Sequence, residues 1–451
     1  MKKLFFLFLF ITLPVQADFN SALDNYSAGN YAQAYKEFIS MAETGEKRSQ
    51  FNLGVMYFNG QHVEKDVNRA FAWLKLSMED GNPDEHMKSV FESAKTAVKD
   101  KQVANALYQE LSDKYSSEIL LGTLYPSFVK PENDHAFQAE PLDIVQPKFP
   151  KKAIRTNRQG WVKFQFDLDA KGTPRNITLL ESFPKNTFER ASAKAIRLWR
   201  FKPANDINGI SIKNKNLIYT MEFRISGQSP LEIKSNIIKD NISKLKLNDP
   251  NAQYNIAFWK QKGLLPEVEI NPSELFFKSA RSGLPSSQYQ VGKSLIFGKG
   301  CIQDKAKGIA WLTRAASNGQ AKAKELLASV YFQDSDLESQ SKALDYLNGI
   351  EDLSPITSIN LSKLLSTSQH SKIADPKKAL SILDDLPFKQ FPDEITRFEI
   401  KAAAYAKLGK FKKAVKYQEE ALEEAEDLNA FLPEIQNRLA GYKENKTAEY
   451  F

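Results

Sequence analysis

The sequence has 451 residues, 42% of them apolar, so it is too long for one ordinary core and predicts about two to four domains rather than a disordered chain. Its 62 basic and 55 acidic residues leave a net charge of +7, which is spread along the chain apart from short runs such as KFPKK and KFKK. This balance predicts solubility rather than nucleic-acid binding, and we interpret the basic runs as solvated faces.

The first 17 residues have the pattern of a secretory signal peptide. Lys2 and Lys3 precede an apolar run from Leu4 to Leu13, and a VQA ending follows. The run is too short for a stable membrane span. The sequence therefore predicts a bacterial envelope protein that is exported, cleaved near Ala17 and soluble in the periplasm. Retention as an inner-membrane anchor is the alternative.

Two stretches, 51–82 and 289–320, align with each other over their whole length. The paired positions are Gly54 with Gly292, Gly60 with Gly298, Asp66 with Asp304, and Trp73 with Trp311. A period of roughly 30–50 residues predicts stacked helical hairpins, in which glycine allows close packing, aspartate caps the second helix and tryptophan is buried. The pattern resembles the Sel-like repeat, a relative of the tetratricopeptide repeat.

The chain has one cysteine, Cys301, so an intramolecular disulfide is impossible. The alignment places it opposite Val63, an apolar anchor of the repeat loop. We therefore expect a buried, inert thiol, and a bond between two chains is the alternative.

Further helical units are less regular. Residues 25–45 and 402–425 resemble tetratricopeptide-type hairpins, residues 252–283 resemble another Sel-like unit, and residues 375–387 are interpreted as the second helix of a preceding unit. Such repeats stack into a solenoid with a concave binding face, although a structural spacer is also compatible with the pattern.

The period changes between the two helical halves. After a proline-punctuated stretch at 133–150, WVKFQFDLDAKG alternates strictly and NITLLES follows, which predicts a hairpin of two half-buried strands. A helix is expected from about Thr187 to Arg200, ending before Pro203. NLIYTMEFRIS alternates again and predicts a third strand, so the segment is a small two-layer α+β module.

Residues 147–226 resemble the C-terminal domain of the TonB family. The positions that carry the resemblance are Phe149, Pro150, Gly160, Gly172, Trp199, Arg200, Phe201 and Pro203. We interpret them as structural: the tryptophan completes the helix face, Phe201 packs where the chain turns, and Arg200 stacks on an aromatic ring or caps the last helical carbonyls. The sequence departs from the family pattern in lacking an evident second glycine before the first strand and in placing the domain mid-chain.

In the TonB family, the last strand of this domain pairs with an extended segment of an outer-membrane transporter. The resemblance therefore implies a strand-addition edge formed by Leu217, Ile218, Tyr219, Thr220, Met221, Glu222, Phe223, Arg224 and Ile225. The alternative is that the segment after Ser226 covers this edge.

The predicted fold is thus a multi-domain α and α+β protein, in which an α-solenoid of Sel-like and tetratricopeptide-type hairpins flanks a small TonB-like domain with a three-stranded antiparallel sheet. The predicted boundaries are a signal peptide at 1–17, N-terminal Sel-like repeats at 18–128, a linker at 129–146, the TonB-like domain at 147–226, a linker at 227–249, Sel-like repeats at 250–335 and tetratricopeptide-like repeats at 336–445.

No catalytic or metal-binding motif is evident. The four histidines, His62, His86, His135 and His370, have no partner at metal-ligand spacing, and SFVK and SFPK match a serine-hydrolase motif only by letters. We therefore expect no enzyme activity and no cofactor; a cell-envelope enzyme is a remote alternative.

The sequence predicts a periplasmic adaptor in envelope transport, which docks partners by strand addition and by a helical-repeat surface. The expected partners are envelope proteins, such as an outer-membrane TonB-dependent transporter or TonB-system components, and not nucleic acid. The alternative is an inner-membrane-anchored energy transducer, which would need a retained membrane helix and a proline-rich arm, whereas the 20 prolines are dispersed.

Overall fold

The computed structural model describes residues 18–79, 83–129, 140–205, 211–212, 214–225, 235–261, 265 and 270–447. The predicted signal peptide lies outside these residues, as does His135. The chain forms two compact units, each made from two chain segments: Met1–Glu132 with Ile233–Leu326, and Asn133–Glu232 with Leu327–Phe451.

The first segment is helical, with α1 (Phe19–Ser27), α2 (Tyr31–Ala42), α3 (Lys47–Asn59), α4 (Val67–Ser77), α5 (Glu85–Ala97), α6 (Lys101–Tyr115) and α7 (Ser117–Thr123). The second is mixed, with β1 (Pro141–Asp143), α8 (Lys151–Arg155), β2 (Gly160–Leu168), β3 (Pro174–Phe183), α9 (Glu189–Ile196), β4 (Arg200–Phe201), β5 (Ala204–Asn205), β6 (Ser211–Ile212) and β7 (Asn214–Phe223).

The remainder is helical again. It contains α10 (Ser235–Leu245), α11 (Pro250–Gln261), α12 (Pro272–Arg281), α13 (Pro285–Phe297), α14 (Lys305–Ser317), α15 (Ala321–Tyr331), α16 (Leu337–Leu347), α17 (Pro355–Thr367), α18 (Pro376–Asp385), α19 (Glu394–Lys407), α20 (Phe411–Asp427) and α21 (Pro433–Lys443). Among the described residues, no helix combines the length and the apolar character needed to cross a bilayer.

The two aligned repeats fold as the sequence predicts. Asp66 caps α4 by accepting the Arg69 backbone N–H at 2.9 Å, and Asp304 caps α14 by accepting that of Lys307 at 3.0 Å. Gly60 and Gly298 end α3 and α13 in the left-handed conformation, with φ of 73° and 66°. The tryptophans Trp73 and Trp311 are 5% and 0% exposed.

Glycines bring the paired repeat helices into close contact. A Cβ atom on Gly54 would lie 2.5 Å from Leu74 Cγ, and one on Gly292 would lie 2.7 Å from Leu312 Cγ. The first helix of each pair therefore packs against the second with no room for a methyl group, which confirms the role predicted for these glycines.

The first unit joins repeats that are far apart in sequence. Trp311 Nε1 donates a hydrogen bond of 2.9 Å to the carbonyl oxygen of Leu124, and Tyr125 packs edge-on against Phe277 at 4.8 Å between ring centroids. At the other end of the first segment, the Phe19 N–H donates to the Ser282 carbonyl at 3.0 Å. The N-terminal repeats and the second set of Sel-like repeats thus share one core, and the α+β segment is inserted into it in sequence.

Two segments predicted as linkers contain regular structure. Helix α10 occupies Ser235–Leu245 within the predicted linker 227–249, because Ile238 and Leu245 pack against the apolar core of the first unit. Strand β1 lies within the predicted linker 129–146 and pairs antiparallel with β4. Backbone pairing and side-chain burial order both segments despite their irregular sequence.

The central sheet of the second unit is antiparallel with the strand order β3-β2-β7. Alternate side chains of β2 face the core, and Val162, Phe164, Phe166 and Leu168 are each 2% exposed or less. Helix α9 adds Ile196 to this core, and Phe188, which precedes it, stacks on Phe223 with 4.3 Å between centroids. The predicted two-layer α+β architecture with a three-stranded sheet is confirmed.

The helix before the Trp-Arg-Phe signature is shorter than predicted. It ends at Ile196 rather than Arg200, and Arg200 and Phe201 form β4. Three hydrogen bonds hold the extended chain: Trp199 Nε1 donates to the Val145 carbonyl, Phe201 N–H to that of Gly172, and Lys202 N–H to that of Glu140. These distant backbone partners outweigh the local helical pattern.

Candidate functional site

Strand β7 is one edge of the central sheet. It pairs with β2 in an antiparallel register that places Thr220 opposite Lys163 and Tyr219 opposite Phe164. Within the described residues, no second strand pairs with the outer side of β7. An edge of this kind offers unpaired backbone N–H and C=O groups to another strand.

The side chains of β7 alternate between the core and solvent. Met221 and Phe223 are buried, and Leu217 packs partly against the same core. Tyr219 lies edge-on against Trp199 at 4.7 Å between centroids but remains 46% exposed. The edge is therefore held in place by the core while part of its apolar surface faces solvent.

The opposite face of β7 is largely polar and open. Ile218 is 37% exposed, and Thr220, Glu222 and Arg224 are also exposed. Glu222 and Arg224 form an ion pair of 2.6 Å between side chains that are more than half exposed. Arg224 and Ile225, which the sequence places in the edge, lie beyond the end of the strand, and the Ile225 N–H donates to Gln159 Oε1 at 3.0 Å. The paired part of the edge thus ends at Phe223.

The residues of the TonB-like signature hold the sheet together. A Cβ on Gly160 would lie 1.9 Å from the Phe183 carbonyl oxygen, and one on Gly172, which has φ of 78°, would lie 2.0 Å from that of Phe201. Phe149 packs edge-on against Phe188 and Phe223, 5.6 Å and 5.5 Å away between centroids. These positions therefore support the fold of the domain.

The remaining residues of the TonB-like signature lie where α9 connects to β4. Trp199 is 1% exposed and packs on Phe166 and Phe201. Arg200 donates to the carbonyl oxygens of Trp199 at 2.7 Å and Arg197 at 3.4 Å, so it caps the end of the helical segment. Pro150 is the N-cap residue of α8, and Pro203 lies two residues after the end of β4.

The other edge of the sheet is closed by the C-terminal helices. The Leu179 N–H of β3 donates a hydrogen bond of 2.9 Å to the carbonyl oxygen of Gln390, in the loop between α18 and α19. Strand β3 also contacts α17 and α19. A partner strand could pair with β3 at Leu179 only by displacing this loop. The segment after Ser226, which is the alternative cover for β7, lies outside the described residues up to residue 234.

A largely buried ionic cluster fixes β3 to α19. Arg175, whose side chain is 14% exposed, donates through its Nη2 atom to Glu399 Oε2 at 2.8 Å, and its Nε lies 3.6 Å from Asp393 Oδ2. Burial lowers the pKa of the Arg175 guanidinium, but the two carboxylates raise it by more, so the net shift is upward and the charge is secure. The Asp393 carboxylate also accepts the backbone N–H of Asn176.

Further charged groups complete the cluster. Arg438 of α21 pairs with Glu399, and Lys363 of α17 donates to Asn176 Oδ1 at 2.7 Å. Asn176 Nδ2 donates to Asp167 Oδ2 at 2.7 Å. Burial lowers the pKa of Lys363, opposed by the surrounding carboxylates. Three cationic and three acidic side chains therefore balance one another where the sheet meets the C-terminal helices.

Two more contacts join the same surfaces. Arg197 pairs with Glu424 of α20, and the carboxylate of Asp169, in the β2–β3 turn, accepts the Phe431 backbone N–H at 2.8 Å. This interface is not predicted by the sequence. The partners lie more than 200 residues apart along the chain, and no local pattern connects them.

Within the described residues, no group of three or more His, Cys, Asp and Glu side chains is placed to hold a metal ion. Cys301 is 2% exposed, which confirms that the cysteine is buried, and burial raises the pKa of its thiol. That the thiol is inert stays a prediction. His62 lies exposed in the repeat loop and contacts the Tyr35 ring.

Comparison with known proteins identifies two kinds of module. Residues 145–224 match the C-terminal domain of the Gram-negative bacterial TonB protein, and residues 47–82, 250–274 and 285–320 match the Sel1 repeat. Both resemblances inferred from the sequence are confirmed: the chain carries a TonB-like domain among Sel-like repeats, and both are modules of protein interaction.

Two curated relatives each match about a fifth of this chain. Protein TonB of Yersinia enterocolitica is 32% identical over 91 residues, which cover 20% of this chain and 32% of that protein. Protein TonB of Escherichia coli is 32% identical over 91 residues, which cover 20% of this chain and 35% of that protein. The chain spans about a third of the length of these relatives.

Two solved structures are similar to parts of this chain, both with TM-scores below 0.5. The NMR structure of the Pseudomonas aeruginosa TonB C-terminal domain is 27% identical with a TM-score of 0.19, over 21% of this chain and 95% of that one. The Sel1 repeat protein from Oxalobacter formigenes is 14% identical with a TM-score of 0.28, over 81% of this chain and 98% of that one.

Proposed function

We propose that this protein is a non-enzymatic, TonB-like adaptor of the bacterial periplasm that serves envelope transport. It docks one partner by strand addition at β7 and others through its helical-repeat surface. The observation that carries this proposal is the asymmetry of the central sheet, in which β3 is closed by Gln390 and the ionic cluster while the described residues leave the outer side of β7 unpaired.

Strand addition would use the backbone of β7 for affinity and its side chains for selectivity. A partner strand would satisfy the outward N–H and C=O groups, while its alternate side chains would meet Tyr219 on the core-facing side and Ile218 or Thr220 on the other. The exposed apolar area of Ile218 and Tyr219 would be removed from water on binding, which adds a hydrophobic contribution. We propose an extended segment of an outer-membrane TonB-dependent transporter, or of a TonB-system component, as this partner.

The repeat units support the adaptor part of the proposal. The two repeat segments of the first unit share one core, so they form a single continuous surface rather than two separate spacers. In the second unit, the TonB-like domain is joined to α19 by a buried ion pair, to α20 by a partly exposed ion pair, and to α17 by the hydrogen bond from Lys363. Because these contacts fix the domain, β7 keeps one orientation relative to a partner that binds the helices of the same unit.

Photo-crosslinking in intact cells tests strand addition. A photoreactive amino acid is placed at Tyr219 or Thr220 on β7 and, as the matched control, at Leu180, which is 36% exposed on β3 of the same sheet. We expect a discrete crosslinked envelope protein from the β7 positions and none from the β3 position. Equal products from both edges, or none from β7, would contradict the proposal.

The mass of the mature N-terminus tests the cellular location. A protein that begins at Asp18 and is recovered from the periplasm supports the soluble adaptor. A protein that retains Met1 in the inner membrane would instead support an anchored energy transducer.

A further inference from the structure

A solvent-open groove in the second unit is lined by cationic and apolar groups. It lies between α9 and the loop that joins α18 to α19, and its volume is about 430 Å³. Arg190 and Lys194 form one wall, and Pro387, Phe388 and Lys389 form the other. This volume falls within the range of about 300–1,000 Å³ that is typical of ligand-binding clefts.

The charges of the groove are not neutralised within the described part of the chain. Arg190 and Lys194 are exposed, lie one helical turn apart on the same side of α9, and form no ion pair with a described carboxylate. Lys389 donates to Asn186 Oδ1 at 2.6 Å, which holds its ammonium group near the α9 side without cancelling its charge. Three cations therefore line the cleft, and none of the described residues that line it is acidic.

The apolar part of the groove is anchored in the core. Phe388 is partly buried and packs against the apolar core of the TonB-like domain, and the guanidinium of Arg197 lies 5.4 Å from its ring centroid. Pro387 is exposed beside it. The ring therefore adds an apolar surface to the cationic lining of the groove.

We propose that this groove docks an acidic peptide segment that also carries aliphatic side chains. Acidic groups on both sides of the segment would pair with Arg190 and Lys194 on one wall and Lys389 on the other, and an aliphatic side chain between them would cover Phe388. A cleft that is lined by an aromatic ring as well as by cations fits an extended chain better than a flat lipid surface, which would meet the cations only at their tips. This second docking surface is independent of strand addition at β7.

Fluorescence anisotropy with the purified full chain tests the groove. The probe is a short fluorescein-labelled peptide that alternates Glu and Leu, and the comparison peptides alternate Glu with Ser and Lys with Leu. The test variant combines Arg190→Glu with Lys194→Glu. The matched control combines Lys151→Glu with Lys152→Glu, which makes the same charge change at two exposed positions of α8. Thermal melting confirms that each variant is folded.

We expect the Glu-Leu peptide to bind the wild-type chain, and binding to weaken by at least about tenfold in the groove variant but not in the α8 variant. The Glu-Ser peptide should bind more weakly because it leaves Phe388 uncovered, and the Lys-Leu peptide should not bind. Equal loss in both variants would mean that net charge alone drives binding, and absence of binding at low salt would overturn the proposal outright. Sedimentation with phosphatidylglycerol vesicles tests membrane binding as the competing interpretation. If the vesicles bind in a way that requires Arg190 and Lys194 while the peptide does not bind, the groove binds a membrane and the proposal is wrong.

Discussion

Replacing Arg175 by methionine should loosen the attachment of the TonB-like sheet to the C-terminal helices. The substitution keeps a long side chain but removes the guanidinium that lies between Asp393 and Glu399, which are 4% exposed or less. Removing one partner of a buried ion pair leaves uncompensated charge and costs about 3–5 kcal/mol. Since Arg438 and Lys363 still offset part of the negative charge, we expect the lower end, about 3 kcal/mol, and a Tm lowered by roughly 6–12 °C for a unit of this size.

Urea denaturation and differential scanning calorimetry measure this change. The matched control is Arg224→Met, which removes an exposed ion pair on β7 and should change the free energy of unfolding by less than about 1 kcal/mol. If Arg175→Met unfolds with the same free energy as Arg224→Met, the cluster does not hold the sheet in place. The closure of the β3 edge would then depend on the hydrogen bond from Leu179 to Gln390 rather than on the ionic cluster.

Further predictions concern single residues of both units. Gly292→Ala should destabilise the first unit by about 1–3 kcal/mol, because the added methyl group would overlap Leu312. Gly441→Ala, in the last turns of α21 where the space is open, should stabilise the second unit by about 0.5–1 kcal/mol. Equal shifts of the melting temperature in the two variants would refute close packing at Gly292. Burial raises the pKa of Glu189, but the hydrogen bonds that it accepts lower it to below its ordinary value of 4.5. The Glu189 carboxylate therefore stabilises the fold at neutral pH, and this stabilisation is lost as pH falls through the folded-state pKa. Glu189→Gln should make the free energy of unfolding fall less steeply with pH in the acidic range. An unchanged acidic part of the stability–pH curve would contradict this. Cys301 should react with iodoacetamide only on unfolding, and rapid labelling of the native chain would show that the thiol is accessible.

The repeats and the sheet could be predicted because their signals are local. The Gly, Asp and Trp positions of the two aligned repeats recur at fixed spacing, and the alternation of β2 and β7 follows directly from the two-residue period of a strand. The candidate edge at β7 was predicted from the resemblance of the Trp-Arg-Phe segment and the strand that follows it. The structure adds that the strand ends at Phe223.

The long-range packing could not be predicted. The hydrogen bond from Trp311 to Leu124 joins two repeat segments that the sequence shows only as separate blocks. The ion pair of Arg175 with Glu399 joins two residues that are far apart along the chain. Arg175 directly precedes the predicted strand NITLLES, where a charged residue is expected to face solvent unless its distant partner is known. The helix end was misplaced for the same reason, because Trp199 finds its hydrogen-bond acceptor at Val145 rather than in the helix.

Hydrogen–deuterium exchange of β7 tests the central claim most directly. The amides of residues 217–223 are followed in the free chain and in the complex with the envelope protein captured at Tyr219. The account predicts that every second amide of β7, those that point away from β2, exchanges quickly in the free chain and becomes protected in the complex, while the amide of Leu179 on β3 is protected in both states. Unchanged exchange along β7 in the complex, or new protection confined to other elements, would contradict strand addition at this edge.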